Sequence, residues 1–129
     1  MSKFDPILFE LKDLQSRLKS TANRLWFIKL NMASAFQENG EEGEFLRRRL
    51  AKREREEQQE FEKLVNRLNR VVSLHLDGSL IAFSSLDDVE TVANITKTIR
   101  YLHNSFAGDP TLGQTWAKLN AALPAFSRN

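Results

Sequence analysis

Nine positions near the start of the chain repeat with a spacing that few folds other than a helical seam can use. Ile7, Leu11, Leu14, Leu18, Thr21, Leu25, Ile28, Met32 and Ala35 follow one another in alternating steps of four and three. That is the a/d pattern of a helix packed along one side against another helix, with Thr21 as its one polar member. Asp5-Pro6 supplies the start, an N-cap aspartate with proline at the first helical position. Glu38-Asn39-Gly40 supplies a terminator. The expected first helix has roughly 30 residues and a length of about 45 Å.

A second helix is expected after Gly43. Phe45, Leu46 and Leu50 form an early apolar stripe, and Phe61, Leu64, Leu68 and Val71 a late one. Between them Ala51–Glu60 contains a single apolar side chain. These residues are good helix formers with favourable pairs four apart, such as Arg53 and Glu57, yet they offer little to a core. The short Gly40–Gly43 connection favours antiparallel packing. The apolar wall around Leu25–Ile28 then meets a polar stretch. Either arginine stems cover the aromatics there, or another surface does.

Residues 72–83 have two readings. Val72, Leu74 and Leu76 alternate, Asp77-Gly78 follows, and Ser79, Ile81 and Phe83 alternate again, which fits a small β-hairpin. The competing reading, slightly favoured by the stripe Leu64, Leu68, Val71 and His75, extends the helix to about Leu76 with Gly78 as its cap. Ser84–Asp88 resembles a capping box for a third helix, with Val89, Val92, Ala93, Ile99, Leu102 and Phe106 facing inward. Asp109-Pro110 opens a fourth, carrying Leu112, Trp116, Leu119 and Leu123 until Pro124 stops it. The expected fold is therefore mostly all-α. It is a single helical domain of residues 1–129, with a long antiparallel hairpin over 1–76 and a helical pair over 84–124.

Composition narrows function mainly by exclusion. The absence of cysteine removes disulfides and thiolate chemistry. No His/Asp/Glu cluster has metal-ligand spacing, no glycine loop has the phosphate-binding form, and no serine sits in a nucleophile elbow. No cofactor, metal, small-molecule substrate or catalytic residue is indicated. No apolar run approaches a membrane span, and residues 1–6 lack a signal-peptide layout, so a cytoplasmic protein is expected. Net charge is +2, and residues 41–70 hold nine basic and eight acidic side chains. Such near-balance is usual for a solvated helix with internal ion pairs.

Two features point to partners. Leu25, Trp26 and Phe27 are flanked by Arg24 and Lys29, and aromatic anchors beside cations are typical of binding hot spots. Trp26 and Phe27 lie about 100° apart on a helix, so one is expected in the core and the other in a second contact. Arg47, Arg48, Arg49, Lys52, Arg53 and Arg55 form a basic run able to grip phosphates, though a helix spreads them around its cylinder. The favoured function is a non-enzymatic interaction module, such as an adaptor, inhibitor or assembly factor. It would bind another protein or itself as a homodimer. A nucleic-acid-binding accessory protein using the basic run is the alternative.

One further alternative rests on resemblance. Arg70-Val71-Val72-Ser73-Leu74-His75 has the Arg-x4-His spacing and resembles the signature of HEPN-type ribonucleases, with Val71 where that family usually has a polar residue. The resemblance covers these six residues. It implies a small helical bundle in which Arg70 and His75 of two protomers meet at a dimer interface and cleave RNA. The other histidine, His103, reads as a packed or half-exposed helix residue.

Overall fold

The computed structural model describes residues 5–35, 37, 40–75, 86–106 and 109–123. It contains α1 (Asp5–Ala35), α2 (Gly40–His75), α3 (Leu86–Ser105) and α4 (Pro110–Ala122), and no strand among the described residues. The all-α expectation holds. Val72 and Leu74 are helical, so they do not form the first strand of a hairpin. Apolar positions spaced for a helix prevail over the short alternation there. The remainder of that segment, residues 76–83, lies outside the described residues.

Two boundaries differ from expectation. α1 ends at Ala35, short of Glu38, and the Gln37 amide donates to the Ser34 carbonyl at 3.1 Å in a closing turn. α2 begins at Gly40 rather than after Gly43, so the supposed Gly40–Gly43 connection is its first turn. Glu41 and Glu42 lie there and complement the positive end of the helix dipole. Gly40 has φ +83°, which side chains adopt at a cost. Nothing stands within 4 Å of a Cβ placed there, so Gly40→Ala isolates the backbone term. It should lower stability by about 1–2 kcal/mol, read as a lower urea midpoint with an unchanged slope.

The chain divides into two compact units, and the division cuts through both long helices rather than falling between α2 and α3. One unit comprises Arg17–Leu64. In it the Arg47 guanidinium donates to the Ala35 carbonyl at 3.0 Å, and Arg24 Nε donates to Glu57 Oε2 at 2.9 Å. Stepping back along α1 therefore means stepping forward along α2, so the two segments are antiparallel. The same register sets Leu25 level with Glu57, Ile28 with Glu54, and Thr21 with Phe61. On α2 the residues turned inward are Gly43, Arg47, Leu50, Glu54, Glu57, Phe61 and Leu64, all buried or half-buried. They keep the four–three spacing throughout. The polar middle of α2 thus continues the seam, with Arg47, Glu54 and Glu57 at its inner positions.

The other unit comprises Met1–Ser16 and Val65–Asn129. Its core is Leu8, Leu11 and Leu14 from α1, Val65, Leu68, Val71 and Val72 from α2, and Val89, Val92, Ile95, Ile99 and Leu102 from α3. Leu112 and Leu119 from α4, with Leu123, complete it. Side-chain bonds join neighbouring helices around this core. Glu10 pairs with Arg67, Gln15 Nε2 donates to Thr98 Oγ1, and Thr115 Oγ1 donates to Asn69 Oδ1. Lys118 Nζ donates to Ser73 Oγ. α3 and α4 pack on each other. The cyclic order is α1, α2, α4, α3. Asn69 with Thr115 and Ser73 with Lys118 make α2 and α4 parallel neighbours. As expected, Asp109 caps α4: its Oδ1 accepts from the Thr111 and Leu112 amides, and Pro110 follows at the first helical position.

Candidate functional site

The unit of residues 17–64 carries every residue that the sequence singles out for partner binding. Leu25 is fully buried and belongs to its own hairpin seam. Leu25 and Ile28 are closed off although α2 is polar opposite them. Ala51, Glu54, Glu57 and Gln58 are half-buried along that stretch, so alkyl stems rather than leucines face the α1 wall. Arg24 also donates to Thr21 Oγ1 at 3.1 Å, which satisfies the one buried polar group of the α1 seam.

The expectation that either Trp26 or Phe27 enters the core is corrected. Trp26 is 61% and Phe27 63% exposed. Leu25 and Ile28 define the inward direction of α1, and the two positions between them point away from it. Leu30, 47% exposed, lies four residues after Trp26 and three after Phe27, on the same outer face. Sequence reasoning missed Leu30. Its spacing from the two aromatics was the available signal. The result is a helix with an apolar seam on one side and a Trp–Phe–Leu cluster on the other.

The basic run separates. Arg47 is half-buried against the end of α1, bonded to Ala35. Arg48, Arg49, Lys52, Arg53 and Arg55 are exposed. Arg48, Lys52 and Arg55 share one outer face of α2 at helical spacing, with the exposed Phe45 on the same side. Arg48 is paired with Glu44 one turn earlier, and Glu56 follows Arg55 directly.

Arg70 and His75, which carry the ribonuclease resemblance, are both exposed in the last turns of α2. Five residues apart, they project about 140° from one another on this helix. His103 is half-buried, and its Nε2 would lie 3.3 Å from a Cβ built at Gly113, so glycine there accommodates the ring. No group of His, Asp and Glu able to hold a metal ion occurs among the described residues. No described helix is long and apolar enough to cross a membrane. Comparison with known protein families, with curated proteins and with solved structures finds no match to this chain.

Proposed function

We propose that this chain is a non-enzymatic helical interaction module, an adaptor, inhibitor or assembly factor. It engages another protein or a second copy of itself through the outer face of α1. The observation that carries the reading is the exposed Trp26–Phe27–Leu30 cluster. Single exposed apolar residues are ordinary, but three large ones contiguous on one helix face are the kind of surface a partner covers. The inner positions of the hairpin seam are taken by Leu25 and Ile28 on α1 and by Glu54 and Glu57 on α2, so the cluster lies outside that seam. Arg24 and Lys29 beside it give the polar rim that surrounds hot spots.

The test uses the full chain. Light scattering across a concentration series reads self-association, and capture from lysate reads other partners. Trp26→Ala combined with Phe27→Ala should reduce either association by about 2 kcal/mol or more, roughly thirtyfold in affinity. Stability should stay within about 0.5 kcal/mol of the parent, as for surface positions. A parent that is monomeric at every concentration and captures the same proteins as the variant would defeat the proposal.

A second reading is nucleic-acid binding along α2. Arg49, Lys52, Arg53 and Arg55 are exposed and have no carboxylate partner among the described residues. The acidic side chains at both ends of this stretch weaken the local field and place this reading second.

A further inference from the structure

Between α3 and α4 lies an open cleft of about 300 Å³. Lys97, Arg100, Tyr101 and Asn104 reach it from α3, and Trp116 and Asn120 from α4. On each helix these positions recur every three or four residues, so each set occupies one face. All of them belong to the unit of residues 1–16 and 65–129.

Charge in this region is mostly positive, with Glu90 about two turns before Lys97 on the same side of α3. From Thr91 to Leu123 the sole carboxylate is Asp109. It is engaged by the amides of Thr111 and Leu112, and stands about two helical turns from Trp116 along α4. Among the described residues no carboxylate pairs with Lys97 or Arg100. Two cations one turn apart and uncompensated form a local field for an anion. The Arg100 guanidinium lies 5.7 Å from the centroid of the Trp116 ring, within cation–π range, so an aromatic and a cation meet in the cleft.

Aromatic and amide groups complete the lining. Tyr101 is 69% exposed, a ring left in water beside both cations. Asn104 and Asn120 each bring donors and an acceptor. We propose that this cleft binds a nucleoside phosphate, either free or as one unit of a single strand. Lys97 and Arg100 take the phosphate. The base stacks on the exposed ring of Tyr101, which suits a nucleobase. Asn104 and Asn120 meet its polar edge. An acidic peptide would use the cations and leave the rings and amides without a role. The cleft lies at the small end of ligand-site volumes, roughly 300–1,000 Å³, which matches one nucleotide.

The experiment reads Trp116 fluorescence in a full-length Trp26→Phe background, where it is the remaining tryptophan of two. The probes are adenosine monophosphate, a short oligoadenylate, inorganic phosphate and an oligoglutamate peptide. A saturable change is expected with the mononucleotide, the oligonucleotide or both. Response to the oligonucleotide alone assigns the single strand, and response to the mononucleotide assigns the free ligand. Lys97→Ala with Arg100→Ala should weaken that binding roughly tenfold or more, and Tyr101→Ala at least about fivefold. Circular dichroism confirms that each variant is folded. Absence of response to both nucleotide probes overturns the proposal. So does inorganic phosphate or oligoglutamate binding as tightly as the nucleotides, or binding unchanged in the folded variants.

Discussion

Phe61→Ala is expected to destabilise the protein by about 3–5 kcal/mol, a large share of the roughly 5–15 kcal/mol that holds a domain folded. Phe61 is the largest of the side chains with essentially no exposure. It stands level with Thr21 on the seam, at the junction between the polar middle of α2 and its apolar end. The half-buried Glu57 and Gln58 lie on the preceding turn, and their polar ends cannot fill the volume that a lost ring would leave. Thermal unfolding should show a fall on the order of 10–20 °C. Phe45→Ala makes the control. It removes the same ring from a position 68% exposed, and should change stability by no more than about 0.5 kcal/mol. Equal effects at the two positions would contradict the antiparallel seam.

Ile99→Ala should cost about 2–5 kcal/mol. Ile99 is wholly buried on the inner face of α3. Its chain neighbour Arg100 points about 100° away, into the α3–α4 cleft. Arg100→Ala should lose no more than about 1 kcal/mol, the contribution of an exposed cation–π contact. Urea denaturation of the pair separates core from cleft. If Arg100→Ala proved as damaging as Ile99→Ala, the arginine would be part of the packing and the cleft a by-product of it.

The legibility of this fold in its sequence varied from helix to helix. The α1 seam was plain because eight of its nine positions are apolar and Thr21 is the lone exception. The α2 seam was obscured by Arg47, Glu54 and Glu57, which keep the spacing while breaking the hydrophobic pattern. A search for apolar residues finds two stripes and a gap; a search for position finds one seam. Helix ends were less exact: Asn39-Gly40 looked like a stop for α1, but Gly40 serves as the first residue of α2. The aromatic pair was misjudged for a geometric reason. Leu25 and Ile28 already occupy the inward positions, which leaves both Trp26 and Phe27 outside. Residues of the α3–α4 cleft could not be singled out, since Arg100 and Trp116 meet only when their helices pair. The run of residues from Thr91 onward with almost no carboxylate was the one trace visible beforehand.

The charged inner positions of α2 have a consequence for alignment. A seam of leucines alone is nearly periodic, and two such helices can slide by a heptad with little change in contact. Here a slide of seven residues would carry Glu57 about 10 Å from Arg24 along the helix axis. In one direction it would also set the Glu57 carboxylate against Leu18, which is fully buried. The pair is solvent-exposed and by itself contributes about 0–1 kcal/mol, so the penalty of such a slide is mainly the burial of an unpaired carboxylate against Leu18. The Arg24–Glu57 contact therefore works as a vernier: it selects one axial position from a set that the apolar residues leave nearly equivalent.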